Sequence, residues 1–251
     1  MNSIKISNKP ICFWGDTHGD WRKDGFIQHL IRTRNLSGSN VIQVGDFGIG
    51  FREDTVDFAN LQNLNDALIK DDIHLYVIRG NHDNPKYFKG GQEFSNILFL
   101  PDYTVLVADN VNILCVGGAV SIDRTTSKKA VFKTGRHHWW KDEVFVYDEG
   151  LINSIIEAFK IHIVVTHSAP SAFYPQTFNN IVFDYAAVDP ILIQDLIAER
   201  KRIDMLHDNI VEKNKISHWF YGHFHNCFTE YHNEMKAILL NINETYYLNN
   251  F

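Results

Sequence analysis

The chain has 251 residues, 45% of them hydrophobic, and a formal net charge of -6. This length and composition allow a sizeable core and exclude a disordered, collagen-like or coiled-coil chain. The acidic balance argues against a broad basic surface for long duplex nucleic acid.

The first part of the chain alternates short apolar runs with amphipathic segments. The pattern predicts strands at residues 11–14, 41–44 and 73–78, and helices at residues 21–35 and 55–70. A strand-helix-strand-helix-strand order is typical of βαβ units on a parallel sheet.

After residue 85 the apolar runs become shorter and closer together. Residues 97–100, 104–108 and 111–116 predict strands joined as hairpins, and residues 121–148 predict a long polar loop. Helices are then predicted at 149–159 and 190–211, and strands at 161–165, 217–221, 235–240 and 245–248. Because no repeat or linker is visible, we predict one domain over residues 1–251, with a loop or cap-like insertion around 121–148.

The three cysteines, Cys12, Cys115 and Cys227, lie far apart in the sequence. We interpret them as buried thiols in a reducing compartment, with neither a disulfide framework nor a cysteine-based zinc site. No stretch has the length and apolar character of a signal peptide or a membrane span. The sequence therefore predicts a soluble cytoplasmic protein with no membrane partner.

Five of the predicted strands end in polar side chains that can bind metal ions. These side chains are Asp16, His18, Asp46, Asn81, His82, Asp83, His167, His223 and His225. Each loop alone has an ordinary alternative, such as a helix cap, a turn residue or a core histidine. Since ligand sites in α/β sheets lie outside the carboxyl ends of the strands, five such endings together predict a single site.

The donor types indicate which ions this site would hold. Carboxylate and amide oxygens with imidazoles, and no thiolate, suit Mn²⁺, Fe, Zn²⁺ or Mg²⁺. The set is too large for one ion, whereas two ions that share a bridging carboxylate would use all of it. Two-metal sites support in-line displacement at phosphorus, because they generate hydroxide near neutral pH and clamp the anionic oxygens.

Several motifs between about residue 11 and residue 226 resemble, in the same order, those of the calcineurin-like metallophosphoesterases. They are Asp16-x-His18, Gly45-Asp46-x-Gly48, Gly80-Asn81-His82-Asp83, His167 and Gly222-His223-x-His225. The resemblance implies an α/β fold, a four-layer α/β/β/α sandwich of two mixed sheets flanked by helices. It also implies two divalent metal ions at the sheet edge, with Mn²⁺ expected and Fe, Zn or Mg as alternatives.

The resemblance further implies how the site residues divide. Asp16, His18 and His225 would hold one ion, and Asn81, His167 and His223 would hold the other, with Asp46 bridging the two. His82 would contact the scissile phosphate and protonate the leaving oxygen, a role that P–O cleavage needs. His82 could alternatively be a ligand or only a hydrogen-bond donor to phosphate. Asp83 orients His82 or caps the next segment.

One departure from the family bears on the substrate. In the protein-phosphatase branch the second motif continues as Asp-Arg-Gly, whereas here Asp46 is followed by Phe47-Gly48-Ile49-Gly50-Phe51. This difference argues against a phosphoserine or phosphothreonine phosphatase. It favours a phosphodiesterase or a nucleotide-directed phosphatase that acts by attack of metal-bound hydroxide.

The segment from Gly117 to Trp140 resembles one in bacterial and phage-type members of unassigned substrate. Arg124 and Arg136 could bind a phosphate, and Trp139 and Trp140 could stack a base. Alternatively, the tryptophans pack the loop against the core and the basic residues are merely solvated. We expect as partner a phosphorylated small molecule, a nucleotide or an oligonucleotide end. The rival hypothesis is a catalytically silent scaffold for protein or nucleic-acid partners.

Overall fold

Two mixed β-sheets lie face to face in the computed structural model, which describes residues 2–91, 94–127 and 139–248. The five-stranded sheet has the order β12-β2-β3-β4-β5. Its strands are β2 (Ile11–Trp14), β3 (Asn40–Gln43), β4 (His74–Val77), β5 (Ile97–Phe99) and β12 (Thr245–Tyr247). Strands β2 to β5 run parallel, and β12 pairs antiparallel with β2.

The seven-stranded sheet has the order β1-β6-β7-β8-β9-β11-β10. Its strands are β1 (Asn2–Lys5), β6 (Thr104–Ala108), β7 (Val111–Val116), β8 (Ile163–Thr166), β9 (His218–Tyr221), β10 (Phe228–His232) and β11 (Met235–Leu239). Strands β7, β8, β9 and β11 are parallel, whereas β6 with β7 and β10 with β11 form antiparallel pairs.

Helices flank the two sheets. They are α1 (Phe26–Arg34), α2 (Asp54–Lys70), α3 (Glu149–Ala158) and α5 (Leu192–Lys213), together with α4 (Asn180–Ala186), which packs on α5. Short 3-10 turns lie at Asp20–Arg22 and Pro85–Phe88. Buried side chains of α1 and α2 pack against the five-stranded sheet, and those of α3 and α5 pack against the seven-stranded sheet. A third apolar layer, which includes the stacked rings of Phe13 and Phe220, fills the space between the sheets. The predicted fold class is therefore confirmed.

The strand registers align the carboxyl ends from which the site loops leave. Trp14 at the end of β2 lies beside Gln43, and Gln43 lies beside Val77 at the end of β4. In the other sheet, β7, β8 and β9 also run in the same direction as neighbours. Because parallel strands present their carboxyl ends at one edge, the following loops of both sheets meet there.

Three differences from the predicted elements fall within the first 108 residues. The helix expected over residues 21–35 is a 3-10 turn followed by α1, which begins after Gly25 with its positive φ of 70°. Strand β5 pairs in parallel with β4 and forms no hairpin with β6. Strand β1 was not predicted, because it is an edge strand with mostly exposed residues and no apolar alternation.

The cysteine prediction is correct for two of the three residues. Cys12 and Cys115 are buried free thiols, and burial raises the pKa of Cys12 to about 12. Cys227 is exposed and contacts Glu244, so the expectation of a third buried thiol is wrong. Among the helices of the described ranges, none combines the length and apolar character needed to cross a membrane.

Candidate metal centre

The loops after five parallel strands bring the predicted polar residues together at one edge of the two sheets. The loops after β2, β3 and β4 supply Asp16, His18, Asp46, Asn81 and His82, and those after β8 and β9 supply His167, His223 and His225. Two clusters of possible ligand atoms form there, each with its atoms within 4.8 Å of one another, and Asp46 belongs to both clusters.

The first cluster contains Asp16, His18, Asp46 and His225. His18 Nε2 lies 2.9 Å from His225 Nε2 and 3.9 Å from Asp46 Oδ2. His225 Nε2 lies 3.4 Å from Asp16 Oδ2. Two ring nitrogens and two carboxylates therefore converge on one small volume, which is the donor chemistry of a divalent transition ion.

The second cluster contains Asp46, His167 and His223, with Asn81 beside them. His167 Nε2 lies 3.2 Å from Asp46 Oδ1 and 3.1 Å from Asn81 Oδ1. The other ring nitrogen of His167 lies 2.8 Å from the carbonyl oxygen of Val44 and can only donate to it. This bond keeps a proton on Nδ1, so Nε2 is the atom that would coordinate an ion, in place of the proton that faces the Asp46 carboxylate in the metal-free protein.

The electrostatics of the second cluster favour a cation. Burial would raise the pKa of Asp46, but the neighbouring charges of His167 and His82 outweigh it and hold that pKa well below its usual range. Burial would lower the pKa of His167, yet the Asp46 carboxylate raises it to about 10. Burial lowers the pKa of His223 far below its usual value, so this ring is neutral and able to coordinate at pH 7.

The backbone around the site adopts rarely populated conformations. His18, Asp46, His223 and His225 have φ angles of 45°, 55°, 70° and 48°. Non-glycine residues at positive φ are uncommon, and such conformations concentrate at functional sites. The same loops approach one another closely, since a Cβ on Gly80 would overlap the amide and carboxylate of Asp46. Close approach, rather than a positive φ, is thus the reason for glycine at position 80.

A chain of hydrogen bonds orients the Asn81 side chain. Its Nδ2 donates to Ser121 Oγ at 3.0 Å, which directs Oδ1 towards His167. Glu143 accepts from the Ser121 amide at 2.8 Å and lies 2.9 Å from the Ser121 hydroxyl. Burial raises the pKa of Glu143 to about 8, and these bonds offset only part of that rise. Ser121 and Glu143 were not among the predicted site residues, because nothing in the local pattern around them indicates a contact with Asn81.

Asp83 joins two of the site loops. Its carboxylate accepts from the backbone amides of Phe47, Gly48, Ile49 and Gly80 at 3.1, 2.6, 3.1 and 2.9 Å. Burial and the charge of Asp46 raise its pKa to about 6 despite these four bonds. Neither of the two roles expected for Asp83 describes these contacts, which fasten the loop after β3 to the loop after β4.

An Asp83→Asn substitution is expected to lower the free energy of unfolding by about 2–5 kcal/mol. The single side-chain oxygen of asparagine can accept from one pair of these backbone amides, which leaves the other pair without an acceptor. Each buried donor left unpaired costs about 1–3 kcal/mol. Chemical denaturation of the metal-free protein, followed by circular dichroism, measures the change. Asp109→Asn, at an exposed turn position, is the control and should leave stability within about 0.5 kcal/mol of the original. Equal stability of the two variants would contradict this role of Asp83.

The predicted substrate residues have separate surroundings. Arg124 is bound by Asp189, with Nε 2.6 Å from Oδ2, and by Asp195, with Nη1 2.7 Å from Oδ2. Trp140 stacks on Phe51 at 6.0 Å between ring centroids, and Phe51 lies 6.1 Å from the ring of His82. Trp139 interacts with Glu143. Arg136 lies outside the described residues. A substrate role for these four residues therefore stays a prediction.

A cavity of about 680 Å³ opens beside the two clusters, where Asp46, Asn81, His82 and His223 form part of its lining. The opposite wall comes from residues 174–185, which include helix α4. This segment was not predicted to be helical or functional. A signal was present, because Phe178, Ile181, Val182 and Tyr185 follow the i, i+3, i+4, i+7 spacing of an amphipathic helix.

Two mixed sheets lie face to face, and the Asp/His clusters at their common edge supply the donors of a divalent metal site. The family model for calcineurin-like phosphoesterases matches residues 9–227 of the chain. The chain therefore belongs to the calcineurin-like phosphoesterase family, which uses divalent metal ions. The resemblance stated from the sequence motifs is confirmed, as is the expectation of an enzyme.

Two solved structures are similar to this chain at low sequence identity. A candidate 5'-nucleotidase from Staphylococcus aureus is 14% identical, with a TM-score of 0.46 and coverage of 93% of this chain. The present chain spans only 49% of that protein. The phosphopantetheinyl hydrolase of Mycobacterium tuberculosis is 12% identical, with a TM-score of 0.46 and coverage of 94% of this chain and 92% of the other. Among curated protein sequences, none matches this chain.

Proposed function

We propose that the protein hydrolyses phosphoesters with two divalent metal ions, and that it is a phosphodiesterase or a nucleotide-directed phosphatase. The observation that carries the proposal is the position of Asp46, which belongs to both clusters of possible ligands. A carboxylate shared by two adjacent sites is the arrangement that dinuclear centres need. In this proposal the partner is a phosphorylated small molecule, a nucleotide or an oligonucleotide end, in the cytoplasm.

The residues present fit such a centre. Asp16, His18 and His225 would hold one ion, Asn81, His167 and His223 would hold the other, and Asp46 would bridge them. Oxygen and imidazole donors without thiolate favour Mn²⁺, with Fe, Zn or Mg as alternatives. When bound, the ions would lower the pKa of a coordinated water to near neutrality and neutralise phosphate oxygens.

His82 would supply the proton that the leaving oxygen needs. Its side chain lines the cavity beside the clusters, and its ring centroid lies 5.5 Å from that of His18. Its backbone amide donates to Asp46 Oδ1 at 2.7 Å, so the shared carboxylate also fixes the position of the His82 backbone. A histidine held at the rim of the centre is placed to act as general acid.

Metal analysis combined with an activity screen tests the proposal. Protein loaded with Mn²⁺ and freed of excess metal is expected to hold about two ions per chain and to hydrolyse mono- or bis-nitrophenyl phosphate. Protein that takes up no transition ion would exclude the dinuclear centre. If the protein holds two ions per chain but hydrolyses neither ester, and neither cyclic nucleotides nor dinucleotides, the result would favour the scaffold hypothesis.

A further inference from the structure

The cavity beside the clusters has the position and size of a subsite for the esterified group. Its volume of about 680 Å³ lies within the range of about 300–1,000 Å³ typical of small-molecule sites. Since Asn81, His82 and His223 line one end, a phosphate at the clusters would direct its ester substituent into this space.

The walls of the cavity away from the clusters are largely apolar and aromatic. Their apolar and aromatic residues include Tyr174, Phe178, Ile181, Tyr185 and Phe224. The ring of Tyr174 is held in place, because it stacks on Phe228 at 4.4 Å between centroids and its hydroxyl accepts from Asn226 Nδ2 at 2.9 Å. Walls of this kind bind flat or apolar groups, while a few amide side chains fix their orientation.

The charged side chains that line the cavity away from the clusters are bonded within the protein. Asp123 accepts from Ser127 Oγ, and Glu199 accepts from Ser168 Oγ and the Val120 amide. Arg200 is the cation among the described lining residues. The Arg200 guanidinium donates to the carbonyls of Ala169, Pro170 and Pro175 at 2.6, 2.8 and 2.6 Å. It also lies 4.8 Å from the ring centroid of Phe224. Since these charged groups are engaged within the protein, this part of the cavity favours an uncharged group.

We propose that this cavity binds the group esterified to the scissile phosphate, and that this group is uncharged, with a flat or apolar face the size of an aryl ring or a nucleoside. The inference rests on the proposed hydrolysis at the two clusters. It assigns the enzyme to phosphate esters of such groups.

Steady-state kinetics of the full chain loaded with Mn²⁺ test the assignment with two substrates. A nucleoside 5'-monophosphate is expected to have a KM at least about tenfold below that of ribose 5-phosphate, which lacks the base.

Two variants on helix α4 distinguish a loss of binding in the cavity from a general loss of activity. Ile181 lines the cavity and is 57% exposed, whereas Phe183 is 54% exposed and does not belong to the lining. Ile181→Asn is expected to raise the KM for the nucleoside ester about tenfold and to leave that for ribose 5-phosphate unchanged. Phe183→Asn should match the original protein on both esters.

Equal kinetics for the nucleoside and ribose esters, together with no effect of Ile181→Asn, would overturn the subsite while leaving the proposed hydrolysis intact. Absence of hydrolysis with both substrates and with nitrophenyl esters would instead contradict the proposed function itself. The two failures are therefore distinguishable.

Discussion

Replacement of His82 by alanine is expected to lower kcat by about 10²–10⁴-fold while the protein keeps its full metal content. The reason is that loss of a general acid leaves the departing oxygen to take its proton from solvent, whereas the proposed ligands stay intact. Steady-state kinetics on a nitrophenyl ester and metal analysis of the same preparation measure the two quantities together.

The two readouts also separate the roles that the sequence left open for His82. His29→Ala on the exposed face of α1 is the matched control and should change neither kcat nor metal content. Loss of about one ion per chain in His82→Ala would identify His82 as a ligand. A raised KM with unchanged kcat would identify it as a group that only binds the phosphate.

An Asp46→Asn substitution is expected to weaken metal binding and to abolish detectable hydrolysis. The loss of affinity should exceed the roughly 10–100-fold that is typical when a residue outside the ligand set of a metal site is changed. The amide keeps the size of the side chain but removes the negative charge that both clusters share. Titration of the metal-free protein with Mn²⁺, followed by calorimetry, measures the stoichiometry and the affinities.

Asp20→Asn provides the comparison for this experiment. Asp20 follows the same strand as Asp16 and accepts from Asn243 Nδ2 at 2.8 Å, but it belongs to neither cluster. This variant should bind two ions with affinities close to those of the original protein. Unchanged affinities in Asp46→Asn as well would show that Asp46 does not bridge two ions.

The gathering of the site residues was predictable because each follows a strand that an apolar run marks clearly. Strand β2 coincides with the predicted residues 11–14, and β4 lies within the predicted residues 73–78. The carboxyl ends of parallel strands share an edge, so Asp16 and Asn81 had to approach each other once those strands were recognised. Chain topology, rather than any single motif, thus carries the prediction.

The remaining features depend on contacts between distant segments. Asp83 fastens the loop after β3, and Ser121 reaches Asn81 across 40 positions of sequence. No periodic pattern in the sequence indicates such contacts, because they join segments that lie far apart in the chain. Helix α4 has seven residues, and its apolar side chains line a cavity instead of a core, so its pattern does not indicate an ordinary buried element.

The two hydrogen bonds between Ser121 and Glu143 bring two segments of the chain together beside Asn81. The orientation of the carboxamide at position 81 therefore depends on two side chains that belong to neither cluster. Loss of such outer hydrogen bonds typically weakens metal binding about 10–100-fold. Substitutions at Ser121 or Glu143 are thus a way to tune the affinity of the second cluster for an ion while every proposed ligand stays in place.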